Sequence, residues 1–170
     1  MNILLIILTL LLCSFALAAV SLAPWVPCRT KDLERIFKLA KLKKNEVFYD
    51  LGCGDGKTIF YANKHFGVKS IGLELALPMF LVCKIRQIFY RNKNIQFKYK
   101  NLFKENLSNA NAIYVYGMKD SLKNQLKDKL IKELKSGTRV ISYVFPIEGL
   151  EKQLIEKNLE TKIPIYLYQF

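Results

Sequence analysis

The sequence predicts an α/β domain built on a doubly wound, mainly parallel sheet, with one long apolar helix in front of it. Three observations predict this. The apolar run Val47-Phe48-Tyr49 ends in Asp50-Leu51-Gly52-Cys53-Gly54-Asp55-Gly56, and a helical pattern begins at Lys57. A strand that ends in alternating glycines and opens into a helix brings bare backbone up to a ligand at the carboxyl edge of such a sheet. Further apolar strand patterns then alternate with helical ones along the chain, as in βαβ units. Residues 3–23 stand apart as almost unbroken Leu, Ile, Ala, Val and Phe.

The leader comes first. As a helix rising about 1.5 Å per residue it reaches about 30 Å, enough to cross a bilayer core. Ala16-Leu17-Ala18 offers the small-x-small pattern of a cleaved signal peptide, which is the rival reading. No basic residue precedes the run, whereas Arg29, Lys31, Arg35, Lys38 and Lys41 follow it. That asymmetry favours an uncleaved, single-pass anchor with the bulk of the chain on the cytoplasmic side. The expected organisation is an anchor or signal peptide at 1–23, a pre-core segment and helix at 24–45, and a catalytic domain at 46–170.

Pro24-Trp25-Val26-Pro27 ends the apolar run and reads as a stiff linker with an interfacial tryptophan. Thr30 is expected to cap a helix over 31–42 with Leu33, Ile36, Phe37 and Ala40 on one face. The first strand, 46–51, delivers the glycine loop, and the helix after it spans 57–66 with Gly67 as its C-terminal cap. The second strand, 68–74, ends in Glu74. Pro78 suits the first turn of a helix running to about residue 91, with Phe80, Leu81, Ile85, Ile88 and Phe89 expected inward and Lys84, Arg86, Arg91 and Lys93 on its ends and outer face. Residues 95–99 alternate as a third strand and 111–117 read as a fourth. Asp120 is expected to cap a helix to about residue 135 with Leu122, Leu126, Leu130, Ile131 and Leu134 on one side. Residues 138–145 are a buried strand stopped by Phe145-Pro146. Beyond it, 163–168 reads as a strand, whereas Leu150, Leu154, Ile155 and Leu159 also fit a helix.

Composition narrows the function. One domain fits 170 residues, and 51% hydrophobic residues suffice for a full core. Lys and Arg number 27 against 14 Asp and Glu, a formal charge of +13 that favours nucleic acid, an anionic membrane face or acidic protein, or simply solvates the surface. Cys13, Cys28, Cys53 and Cys83 form no C-x-x-C, and His65 is the single histidine, so no zinc set assembles and no metal is expected. Reduced thiols in a cytoplasmic domain fit that usage.

Spacing then discriminates among ligands for the glycine loop. A dinucleotide fingerprint needs Gly or Ala at 57, where the chain has Lys57. A phosphate-binding loop ending in Gly56-Lys57-Thr58 needs glycine at 51, which is Leu51. The remaining acid-x-G-x-G-x-G pattern resembles the class I S-adenosylmethionine-dependent methyltransferases. The resemblance implies a Rossmann-like sheet of that type, with S-adenosylmethionine as cofactor. It implies that Asp50, Gly52, Gly54 and Gly56 surround the methionine part of the cofactor, the acid helping to hold its ammonium group. Glu74 fits as the ribose ligand. Asn101 occupies the place where related enzymes often carry Asp beside the adenine.

The Pro24-Trp25-Val26-Pro27 segment, the short helix and the loop together are similar to the membrane-anchored protein lysine methyltransferases related to the ATP synthase c-subunit lysine methyltransferase. In that group the segment before the core is needed for activity, which implies that 24–27 folds over the cofactor or substrate entrance. A strand ending in Phe-Pro also occurs there, and the group implies a hairpin of a sixth and a seventh strand. A protein lysine is then the expected acceptor, with RNA or DNA, or a cofactor-binding module without turnover, as alternatives. An Asn/Asp-Pro-Pro-aromatic motif would support base methylation, and Val115-Tyr116-Gly117-Met118 is not one. Of the aromatics available to desolvate a lysine amine, Tyr116 at a strand end is the best candidate, whereas Tyr114 and Tyr143 suit the core. Asp55 is placed either to orient cofactor or acceptor or to cap the following helix.

Overall fold

A computed structural model describes residues 2–170. Seven strands form one sheet in the order β3-β2-β1-β4-β5-β7-β6. β1 (Val47–Leu51), β2 (Lys69–Glu74), β3 (Ile95–Tyr99), β4 (Ala112–Val115) and β5 (Arg139–Tyr143) run parallel. β6 (Leu154–Asn158) and β7 (Ile165–Gln169) form an antiparallel hairpin, and β7 pairs antiparallel with β5. The expected doubly wound sheet is therefore present, and the strand order reverses between β1 and β4. A crevice forms at that switch point, where the connections leave to opposite sides.

The strands are buried because their residues are apolar on both faces. Phe48, Leu51, Ala112, Ile113, Val115, Val140 and Ile141 are all fully enclosed. Residues 154–158 resolve as strand, after a turn at 151–153, and the helix that the pattern also fitted is not formed. The periodicity there is ambiguous, and pairing with the strongly apolar β7 decides it. β5 stops earlier than its sequence pattern because Val144 turns to φ 74°, with the Ser142 hydroxyl donating to Phe145 O at 2.7 Å.

α2 (Thr30–Ala40) buries Leu33, Ile36, Phe37 and Ala40 as expected, but Arg29 occupies the cap position and Thr30 is already helical. α3 (Lys57–Phe66) has the expected bounds, and Gly67 closes it in the left-handed conformation. α4 (Leu77–Tyr90) departs from expectation: Met79 and Cys83 face the core, while Leu81, Ile85, Ile88 and Phe89 face outward. Apolar residues lie all round this helix, so periodicity alone cannot choose the buried side. The segment after β4 is also more irregular than an unbroken helix. It comprises α5 (Lys119–Ser121), a π-turn at Leu122–Leu126 and α6 (Lys127–Glu133), with Met118 rather than Asp120 at the cap. Leu122, Leu126 and Leu130 are buried as expected, and Ile131 is exposed.

α1 (Ile3–Ser21) is long and apolar enough to cross a membrane, and none of its residues is fully buried. Its carboxyl end is nevertheless attached to the domain. Leu22 is buried, its carbonyl accepts from Met118 N at 3.0 Å, and the Ser14 hydroxyl oxygen accepts from Leu77 N at 2.8 Å.

Candidate active site

The cleft begins with the turn after β1. Gly52 N and Cys53 N both donate to Leu73 O, at 3.0 and 2.9 Å, which ties the turn to the end of β2. Gly54 adopts φ 54°, and the Trp25 indole lies so close that a Cβ there would come within 2.4 Å of it. Only glycine admits that approach. Gly56, at φ 76°, sits behind the turn against Phe97 and Cys83, so it shapes the backbone rather than facing the cleft.

The two acids at the strand ends are both buried. Glu74 Oε2 accepts from Gly54 N at 2.7 Å, and Oε1 accepts from Leu75 N at 2.8 Å and Ala76 N at 2.7 Å. Burial raises its pKa, and these three backbone donors oppose the rise. Asp50 Oδ2 accepts from the Thr58 hydroxyl, whereas Oδ1 is buried without a hydrogen-bond partner. Burial pushes the Asp50 carboxyl up to about 7, the Thr58 bond opposes this, and nearby Glu74 and Asp55 add to it. A buried carboxylate oxygen facing a cleft without a partner is suited to an incoming cation.

Asp50, Gly52, Gly54, Asp55, Glu74, Asn101 and Tyr116 all line one open cleft with a free volume of about 80 Å³. Of the residues expected at the site, Gly56 alone stands behind it. Asp55 borders the cleft with both carboxylate oxygens engaged, Oδ1 by Lys57 N at 3.2 Å and Oδ2 by Arg86 at 3.1 Å. Asn101 caps the short turn Leu102–Lys104, its side-chain oxygen accepting from Phe103 N at 2.9 Å. Tyr116 continues from β4 and packs between Tyr143 and Phe145, with ring centroids 6.2 and 6.5 Å away.

Pro24-Trp25-Val26-Pro27 forms part of the wall of the same cleft, as do Phe15, Ala18 and Ala19 of α1. How this segment is latched could not be read from the residues alone. Lys57 Nζ donates to Cys28 O at 2.8 Å and to Thr30 Oγ1 at 3.0 Å, so the first residue of α3 pins the pre-core segment beside the loop. Burial pushes the Cys28 thiol up to about 11, with a hydrogen bond to Tyr114 opposing it. A second clasp holds α2. Asp32 accepts from the Tyr143 hydroxyl at 2.7 Å and from Arg35 at 2.8 Å, and Arg35 reaches across to Asn158 at 2.6 Å. Helical spacing hinted at Asp32 and Arg35 as an i, i+3 pair, but nothing in the sequence marked their distant partners.

The geometry fits a nucleoside carrying an ammonium group: an unpaired acid at Asp50, a second acid one strand away, and a glycine turn between them that Trp25 covers. Among the described residues no group of three His, Cys, Asp or Glu is placed to hold a metal ion. Comparison with known proteins agrees with this reading. The family profile described as ANTKMT methyltransferase domain matches residues 50–154. A protein-lysine N-methyltransferase of Saccharolobus islandicus (strain REY15A) is 33% identical over 154 residues, covering 85% of this chain and 92% of that protein. The ATP synthase c-subunit lysine N-methyltransferase of Homo sapiens is 31% identical over 126 residues, covering 72% of this chain but 52% of that protein, so the match spans about half of that relative. Among solved structures, an RNA methyltransferase from Salinibacter ruber in complex with S-adenosyl-L-homocysteine superposes with a TM-score of 0.79 at 22% identity, covering 85% of this chain and 93% of the other. At that identity the likeness is one of fold. Matched over most of its sheet by one profile, and along most of its length by a relative of nearly equal extent, the chain belongs to the ANTKMT methyltransferase domain family of S-adenosylmethionine-dependent methyltransferases.

Proposed function

We propose that this methyltransferase acts on the side-chain amine of a protein lysine presented at the membrane that holds α1, with its catalytic domain on the cytoplasmic side. The observation that carries the reading is that the carboxyl end of α1, a helix of span length, forms part of the cleft wall, together with the glycine loop. An acceptor reaching that cleft meets it next to the anchor. The names of the relatives, both protein-lysine methyltransferases, support the acceptor class.

When bound, S-adenosylmethionine supplies a sulfonium methyl group that a neutral amine takes by in-line displacement. In the proposed arrangement Asp50 Oδ1 receives the cofactor's ammonium, the Gly52–Gly54 backbone lies along its methionine part, Glu74 receives ribose hydroxyls on its remaining lone pairs, and Asn101 borders the adenine. Trp25 and its flanking prolines shield this side from water. Tyr116, backed by Tyr143 and Phe145, walls the acceptor side. A lysine entering an aromatic wall is penalised for its charge, so it gives its proton to water before transfer and arrives as the free amine. Asp55, held by Arg86 and Lys57 N, positions the loop and aligns the acceptor's approach through it.

Labelled S-adenosylmethionine, supplied with membranes, soluble protein and RNA as separate acceptors, tests the reading. Label on lysine in membrane protein is expected. The +13 charge favours RNA as the rival acceptor, and label in RNA alone overturns the proposal.

A further inference from the structure

We propose that the outer face of α4 is a second contact with the bilayer, lying in the headgroup and upper acyl region beside the anchor. This inference rests on the reading of α1 as a membrane span and adds a surface that α1 does not supply. It begins from the helix whose apolar residues face the wrong way for a soluble domain. Leu81, Val82, Ile85, Ile88 and Phe89 are exposed by 47, 40, 57, 67 and 82%. At about 100° per residue these five fall within an arc of roughly 120°, and the stripe runs for about 12 Å along the helix. Phe89 is exposed beyond anything that packing against the sheet explains, and a contiguous apolar patch of this kind marks an interaction surface.

Three features select lipid as the occupant. The patch adjoins α1: Leu77, at the start of α4, donates to the Ser14 hydroxyl oxygen at 2.8 Å, and Leu10, Leu12 and Leu17 of α1 are themselves exposed. The part of α1 before Ser14 is free of these contacts, and a bilayer that receives it lies beside the beginning of α4 as well. The stripe is edged by cations, with exposed Lys84 on one side and exposed Arg91 and Lys93 at the carboxyl end, while Arg86 on the other side is turned to Asp55. Apolar residues flanked by Lys and Arg are the pattern of helices that rest in the membrane interface, where the cations meet anionic headgroups. No acid lies on α4, so nothing on this helix opposes such a surface.

The consequence is geometric. α4 leaves the sheet directly after Glu74, and Arg86 on its edge bonds the Asp55 carbonyl of the glycine loop at 2.5 Å. An α4 seated on the bilayer gives the domain a second point of attachment beside α1, and two such points fix how the cleft faces the membrane. Acceptors at a set depth are thereby selected.

The test uses the full chain reconstituted in phosphatidylcholine/phosphatidylglycerol vesicles that contain a lipid with a photoactivatable diazirine on its acyl chain. After irradiation, adducts are mapped by mass spectrometry. Adducts are expected in α1 and in residues 81–89, and those in 81–89 fall several-fold in an I85E/F89E double variant. The substituted side chains point away from the core, and an unchanged melting temperature together with retained S-adenosylhomocysteine binding verifies that the variant is folded. Adducts in α1 alone overturn this inference and leave the anchor intact. Adducts in neither helix overturn both. Adducts in 81–89 that persist undiminished in the double variant also overturn it, because the stripe is then not what meets the lipid.

Discussion

Two adjacent parallel strands end at the same edge of the sheet, and each carries one buried acid at that end. On β2, both oxygens of Glu74 are taken by three backbone N–H groups, and the side chain acts as a clasp that joins the loop after it to Gly54. On β1, Asp50 receives one hydroxyl and keeps its other oxygen unpartnered, although it is 1% exposed against 7% for Glu74. Burial is similar and satisfaction is not. The difference separates an acid that holds the site together from one left open to a cation, and it is the second kind that marks a binding function.

The largest effect that can break this distinction is on binding. Asp50→Ala is expected to lower S-adenosylmethionine affinity about a hundredfold or more, since leaving a buried ammonium unpaired costs roughly 2–5 kcal/mol. Calorimetry showing unchanged affinity would make Asp50 as structural as Glu74. The converse change, Glu74→Ala, should cost the cofactor-free protein about 2 kcal/mol of stability by orphaning the loop's N–H groups. Denaturant melts that show no loss would leave Glu74 a ligand only.

Next comes pH. The Asp50 carboxyl sits at about 7 in the fold, above its ordinary 3.8. Between those values the folded protein keeps a proton that the unfolded chain has released. Stability of the cofactor-free protein therefore falls as pH rises from about 4 to about 7, by up to about 1.4 kcal/mol per unit, and this contribution is flat above that window. Asp50→Asn should abolish the difference, as read by melting the two proteins in parallel. Cofactor affinity should run the other way, increasing through pH 7 as the acid ionises. The smallest effect sharpens the picture: Thr58→Val removes the hydroxyl donor to Asp50, costs about 1 kcal/mol, and moves the affinity profile to higher pH. A profile that stays in place would show that Asp50 does not set it.

Much of this was legible in the residues. Glycines and apolar runs fixed where β1, α3 and β3 lie, and the spacing at Gly52, Gly54 and Gly56 excluded two other ligand classes. Asp50, Glu74, Asn101, Asp55 and Tyr116 do converge on one cleft. What stayed hidden depends on contacts between distant segments. The buried side of α4 was set by where Met79 and Cys83 meet the sheet, and periodicity could not rank them above Ile85 and Phe89. The Lys57 latch on Cys28 and Thr30 spans 29 and 27 positions, and Arg35 meets Asn158 across 123. No local pattern encodes such partners.

The attachment of α1 bears on how this protein can be matured. Signal peptidase acting after Ala18 would carry away Phe15 and Ala18, two pieces of the cleft's own lining, along with the Ser14 oxygen that meets α4. Cleavage there and a complete cleft are thus alternatives for this molecule, and a polypeptide that keeps its leader keeps its wall.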